Sequence, residues 1–127
     1  MNEAKLCILV VEDNPMNMRL VHDVLAFRGH TILQAKDVDE GRARLAEATP
    51  DLVLLDVQIP GGGGELLLRE IRETPALAHL PVVAVTAFAM RGDRERLLEA
   101  GFDGYLSKPI SVRTFAEDVE AFVKKPS

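Results

Sequence analysis

Tryptophan is absent from this chain, and only 5% of its residues are aromatic. Base-stacking platforms are built from aromatic rings, so single-stranded nucleic acid is a poor fit as a ligand. Basic residues are also in deficit: fifteen Lys and Arg face twenty Asp and Glu, a formal charge of -5. Phosphate-backbone binding needs a basic patch, so no nucleic acid partner is expected. The one cysteine, Cys7, lies within the apolar run LCILVV. A single thiol neither staples a fold nor builds a thiolate metal site, and a small buried hydrophobe in a reducing cytoplasm is the expectation. No apolar stretch approaches the roughly 20 residues that span a bilayer, so no membrane partner is expected. LCILVV is short for the core of a signal peptide and runs straight into Glu12 and Asp13.

What is present suits one globular domain, residues 1–127, with 47% hydrophobic residues to build a core. Leu6–Val11 reads as a buried strand. Asn14 and Pro15 are placed to cap and open a helix carrying Leu20, Val21, Val24 and Leu25 at helical spacing, stopped by Gly29. Strands are expected over Thr31–Ala35, Asp51–Asp56, Pro81–Ala87 and Gly104–Ser107. Helices are expected over Val38–Ala48, Leu66–Glu73 and Arg91–Ala100, the last closed by Gly101. Ser111 is placed to cap a final helix running to about Lys124, with Phe115, Val119 and Phe122 on one side. Five strands thus alternate with five helices. The first, third and fourth strands are continuous apolar runs, as a parallel sheet covered on both faces requires. Right-handed crossovers then give an α/β, doubly wound sheet.

In such sheets ligands bind outside the carboxyl ends of the strands. Those ends carry Glu12-Asp13, Asp56, Thr86-Ala87 and Ser107-Lys108-Pro109. Three acids, a hydroxyl and a lysine therefore converge on one rim. Crowded carboxylates need a cation between them, and a hard ion such as Mg²⁺ suits an all-oxygen site, leaving one carboxylate to act as a nucleophile. Each piece alone has a plainer reading. Glu12-Asp13 would place negative charge at a helix N-terminus, Asp56 would make a turn, Thr86 is a good strand former, and most lysines are solvated. The scattered histidines His22, His30 and His79 are given no catalytic role. The conjunction at successive strand ends is what favours a site.

VVEDN, LLDVQIP, VTA and YLSKP occur in that order. Together they resemble the receiver domain of bacterial response regulators, over nearly the whole chain from Lys5 to about Lys124. The segment VVAVTAFAMRGDRERLLEAGFDGYLSKPIS is especially similar to single-domain regulators of the DivK type, and also to receivers attached to hybrid histidine kinases. The resemblance implies a flavodoxin-like (βα)5 fold with strand order 2-1-3-4-5. It implies that Asp56 takes a phosphoryl group from a histidine kinase or histidine phosphotransfer protein. It implies Mg²⁺ held by Asp13, Asp56 and the backbone carbonyl of Gln58, with Glu12 reaching it through water. Lys108 would add a second positive charge, and the Thr86 hydroxyl and Ala87 N–H would bind the remaining phosphoryl oxygens. Tyr105 matches the switch aromatic, Gln58 and Phe88 the positions that tune water access, and the Lys108–Pro109 bond is expected to be cis. Such a protein is a signalling switch and catalyses only its own phosphorylation and slow dephosphorylation. The short ends suggest a stand-alone cytoplasmic protein, monomeric or weakly dimeric on phosphorylation. Its output would pass to a downstream protein through the face of the fourth helix, fifth strand and last helix, including Ala89, Met90, Arg91 and Arg94. A phosphate sink, or a receiver excised from a hybrid kinase, is the alternative.

The loop after Asp56 departs from that pattern. Pro60 and Gly64 match it; Gly61, Gly62 and Gly63 stand where receivers carry larger residues. Glycines raise the entropic cost of ordering a loop, so this one is expected to be mobile without metal. The glycines do not make a nucleotide site: no Lys-Ser or Lys-Thr follows them, and the third glycine of a dinucleotide fingerprint would fall on Leu66. An aspartate-based phosphohydrolase would need a second acid where Gln58 stands.

Overall fold

A computed structural model of the chain describes residues 5–87 and 91–123. Five strands and five helices alternate: β1 (Cys7–Val11), α1 (Pro15–Phe27), β2 (Thr31–Ala35), α2 (Val38–Glu47), β3 (Leu52–Asp56), α3 (Gly64–Glu73), β4 (Val82–Thr86), α4 (Arg91–Ala100), β5 (Gly104–Ser107) and α5 (Phe115–Ala121). The strands form one parallel sheet in the order β2-β1-β3-β4-β5, the flavodoxin-like arrangement the resemblance implies. No helix among the described residues is long and apolar enough to cross a membrane.

The continuous apolar runs split between the two faces, because successive strand residues point to opposite sides. Leu9, Val11, Val53, Leu55, Val82 and Ala84 pack with Leu67, Leu68, Ile71 and Leu97 under α3 and α4. Ile8, Val10, Leu52, Leu54, Val83 and Val85 pack with Met18, Val21 and Leu25 of α1 and with Phe115 and Val119 of α5. Every residue of β3 and β4 is buried. Each fully buried Leu or Ile stabilises the fold by about 1.5–3 kcal/mol relative to exposure.

Helix entries follow the capping chemistry. Asn14 Oδ1 accepts the N–H groups of Met16 and Asn17 at 2.9 and 3.0 Å. Asp37 accepts the Glu40 N–H at 2.8 Å, and the Glu40 carboxylate reaches back to the Lys36 N–H at 2.9 Å. Two starts differ from the sequence reading. Helix α3 begins at Gly64 rather than Leu66, because a glycine at its first turn is a poor helix former but is required there by packing (below). Helix α5 begins at Phe115, with Thr114 at the cap position and no side-chain cap. Ser111 is not the cap: its carbonyl accepts the N–H groups of Thr114 and Phe115 in a separate turn. The expected continuation of the helix to Lys124 lies outside the described residues.

At the end of the sheet away from the acidic rim, Arg72 gathers three chain segments. Its guanidinium donates to the carbonyls of Gly101, Ala78 and Leu80 and to Asp103 Oδ2. The same Asp103 oxygen accepts the Val82 N–H at the start of β4.

Helix α5 is tied to α1 and β2 through Glu120. Its carboxylate takes two bonds from Arg28, at 3.0 and 2.6 Å, and one from His30 Nε2 at 2.7 Å. His30 Nδ1 accepts the Leu6 N–H, which leaves the ring proton on Nε2 to face Glu120. The Arg28 hydrogen bonds outweigh burial and, with His30, hold the Glu120 carboxyl below its ordinary value. A lowered acid stabilises the fold above its unfolded pKa and loses that contribution as pH falls through its folded one. Glu120→Gln is therefore expected to cost about 1–2 kcal/mol at neutral pH. Urea denaturation at pH 7 and at pH 3 checks this: the gap from the parent should narrow in acid.

Candidate functional site

The acidic rim forms where β1, β3, β4 and β5 end. Asp56 is the last residue of β3, paired in register with Val85, and Glu12 follows directly on β1. Glu12, Asp56 and Thr86 are buried, with 4%, 6% and 3% exposure, although each carries a polar side chain. Asp13 is exposed. Carboxylate oxygens of Glu12, Asp13 and Asp56 all lie within 4.8 Å of one another.

One cation bridges two of these carboxylates. Lys108 Nζ lies 2.9 Å from Asp56 Oδ2 and 3.0 Å from Glu12 Oε1. Its own N–H donates to the Thr86 carbonyl at 2.9 Å, and the Lys108–Pro109 bond is cis, as expected. The other oxygens of Asp56 and Glu12 are used by the backbone. Gln58 N–H donates to Asp56 Oδ1 at 2.9 Å, and Asn14 N–H donates to Glu12 Oε2 at 3.1 Å. The turn-forming role of Asp56 and its place in an acidic site are thus compatible, one oxygen serving each.

Burial pushes the Glu12 carboxyl above the usual carboxylate range, and the nearby Asp56 charge adds to this; Lys108 and the Asn14 amide only partly offset it. For Lys108, burial works against the ammonium, but the bonds and charges of Asp56 and Glu12 prevail and raise its pKa. Lys108 is therefore an ammonium throughout the physiological range.

Gln58 lies exposed in the loop two residues beyond Asp56. Ala87, directly after β4, is exposed. Ala84 is in register with Tyr105, and Thr86 with Ser107. Tyr105 and Ala84 pack into the core under α3 and α4, and Thr86, two residues beyond Ala84, shares that face. The Arg94 guanidinium lies over the Tyr105 ring, 5.9 Å from its centroid. Phe88, Ala89 and Met90 lie outside the described residues. The sequence reading missed the Asn14 amide that holds Glu12, and the pairing of Lys108 with Glu12. Neither has a linear signal: the second joins residues at opposite ends of the chain.

The glycine loop has a structural reason. Gly61, Gly62 and Gly63 have φ of 98°, 123° and 88°, a region costly for any residue with a Cβ. The loop is pinned at both ends: Pro60 O accepts the Val38 N–H and Val57 O accepts the Gly64 N–H. Gly64 passes so close to Asp56 that a Cβ there would lie 2.5 Å from the Asp56 carbonyl oxygen.

The family model for the response regulator receiver domain matches residues 8–120, and the chain belongs to that family. It is therefore a receiver of two-component signalling, a switch rather than a conventional enzyme. Among curated relatives it is similar to the polar-differentiation response regulator DivK of Brucella anthropi, at 38% identity over 91% of this chain and 94% of the relative. Among solved structures it resembles a putative response regulator from Chloroflexus aurantiacus, with TM-score 0.88, 25% identity, and 94% and 98% of the two chains covered. It also resembles the receiver domain of the sensor histidine kinase PA1611 from Pseudomonas aeruginosa, with TM-score 0.84, 31% identity, and 94% and 98% covered. That structure has a magnesium ion coordinated in its active-site cleft. The donor set here, three converging carboxylates and no thiolate or imidazole, fits such an ion.

Two substitutions test the site. Lys108→Ala leaves two buried carboxylates uncompensated, and is expected to cost about 3 kcal/mol or more at neutral pH. Millimolar Mg²⁺ should restore more stability to this variant than to the parent, read by urea denaturation; equal responses would separate Lys108 from the cation site. Gly64→Ala is expected to destabilise by about 1–3 kcal/mol, because the new methyl meets backbone that cannot move without displacing Asp56. Thermal denaturation measures that loss.

Proposed function

We propose that Asp56 is the phosphoryl acceptor of a phosphorylation-dependent switch, charged by a histidine kinase or a histidine phosphotransfer protein in the cytoplasm. The observation that carries this reading is the Lys108 ammonium at 2.9 Å from a buried aspartate at a strand end, with two further carboxylates beside it. An Asp56 oxygen attacks phosphorus, the phosphorus–nitrogen bond of the phosphohistidine breaks, and the imidazole leaves with the bonding pair. Asp13, Asp56 and the Gln58 carbonyl would hold Mg²⁺ directly and Glu12 would hold it through water. When bound, the ion neutralises phosphoryl oxygens as charge passes to Asp56.

The chain's own residues do the rest. Lys108 is positioned to pair with a phosphoryl oxygen in place of the Asp56 carboxylate oxygen it now binds. The Thr86 hydroxyl and the Ala87 N–H, at the neighbouring strand end, supply further donors. Thr86 and Tyr105 share one face of the sheet, which supports a switch in which movement of the threonine frees space for the ring. Output then leaves through the α4-β5-α5 face, with Arg94 against Tyr105 as part of that surface, toward a downstream protein.

Intact-mass measurement after incubation with acetyl phosphate tests the assignment. The parent is expected to gain one phosphoryl group only when Mg²⁺ is present, and Asp56→Asn to gain none. Equal uptake by the variant, or uptake insensitive to a chelator, would overturn it.

A further inference from the structure

Helix α4 has a thin apolar anchor. Among its described residues only Leu97 is buried, whereas α3 buries Leu67, Leu68 and Ile71. Polar side chains supply the other ties. Arg96 is taken up by acids: it pairs with Glu65 at the start of α3 and with Asp93 one turn back. Arg94 is not. Among the described residues it has no ion-pair partner, and its exposed guanidinium lies instead over the Tyr105 ring, 5.9 Å from the centroid.

A guanidinium within about 6 Å of a ring centroid is attracted by the electron-rich face of the ring. At 5.9 Å this contact sits at the outer limit of that range, so movement of the ring away from Arg94 forfeits it. The sheet sets where the ring can go. Tyr105 is half-buried on an edge strand and pairs in register with Ala84. Thr86 stands on the same face, two residues or about 7 Å nearer the rim. A ring that turns into space left by Thr86 moves rimward and into the core. The Arg94 guanidinium cannot follow without losing its water, which is costly for an unpaired charge. The ring therefore has Arg94 in one arrangement and Thr86 in the other.

We propose that Arg94 is a positioning residue of the switch: its contact with the ring holds Tyr105 in the resting arrangement, opposes the turn toward Thr86, and so sets how readily the acceptor site is charged. The proposal rests on the reading of Asp56 as acceptor and of Thr86 and Tyr105 as the switch pair. A contact made in only one of two states biases the equilibrium by its own strength, and changes the affinity for a ligand of the other state by the same factor. For an exposed contact of this kind the factor is roughly two to five.

Beryllofluoride with Mg²⁺ serves as a stable stand-in for the phosphoryl group, and calorimetric titration of the full chain reads its affinity. Arg94→Gln removes the charge at an exposed position, so the core stays intact, and far-ultraviolet circular dichroism confirms the fold. It is expected to bind beryllofluoride roughly two- to fivefold more tightly than the parent. The sign is diagnostic. Loss of a positive charge from a chain of formal charge -5 would by itself weaken the binding of an anion, so tighter binding requires release of the ring. Arg94→Lys keeps a cation for the ring and should stay near the parent. In a Tyr105→Leu background Arg94→Gln should no longer tighten binding, because no ring remains to release. Tyr105 is the one tyrosine and tryptophan is absent, so tyrosine emission reports this ring alone; it should change when beryllofluoride binds the parent.

A parent that binds no beryllofluoride overturns the acceptor reading and this proposal with it. A parent that binds it, with Arg94→Gln no tighter, overturns the proposal and leaves the acceptor reading standing. Tightening that persists in the Tyr105→Leu background, an Arg94→Lys as tight as Arg94→Gln, or emission that is unchanged on binding overturns it as well, since the effect would then bypass the ring.

Discussion

Two buried carboxylates face one half-buried ammonium at the rim of the sheet, and the arrangement of the site follows from that imbalance. Lys108 lies within 3.0 Å of both Asp56 and Glu12. With Asp13 beside them, three negative charges meet one positive charge, a local excess of two. Such an excess is costly where water is scarce, and burial already raises the Glu12 carboxyl. A divalent cation cancels it. Phosphorylation of Asp56 would replace a charge of one by about two, and so shift the balance again. The same few atoms would therefore respond to metal and to phosphoryl group through one electrostatic quantity.

The sheet makes this balance possible by fixing positions that a loop could not hold. Asp56 ends a strand in which every residue is buried, and its Oδ1 is held by the Gln58 amide. Glu12 is held by the Asn14 amide, and Lys108 is aligned by the Thr86 carbonyl. Three strand ends thus carry three side chains whose free atoms point at one another. The opposite end of the sheet is anchored by Arg72, which joins the segments entering β4 and β5. After Asp56 the chain turns through three successive glycines with positive φ.

The sheet was legible in the sequence because burial on both faces turns parallel strands into unbroken apolar runs, while their helices keep a 3.6 period. The site was legible because acids at the ends of such runs have few structural reasons to be there. Other features had no linear trace. The start of α5 depends on a turn closed by the Ser111 carbonyl, which no side chain announces. The start of α3 at Gly64 depends on contact with Asp56. The glycine run read as a mobile loop; sequence shows the freedom of glycine and not the path that uses it. Those φ values turn a departure from the family pattern into a backbone requirement.

Helix α1 joins the acidic rim to side chains exposed on the outer surface. Asn14 caps its first turn through Oδ1 and holds Glu12 through its own N–H. Met16, whose N–H is one of the two capped, is 81% exposed. Any change in the Glu12 carboxylate is thus two hydrogen bonds from the side chain that opens the α1 face. Coupling between two sites is reciprocal in free energy. If contact at α1 favours one arrangement of Glu12, then that arrangement favours contact at α1 by the same amount. The strength of that coupling rests on how rigidly Asn14 links the two. With its amide, its side chain and the following Pro15 all fixed, the first turn of α1 has little freedom to absorb a shift without passing it on.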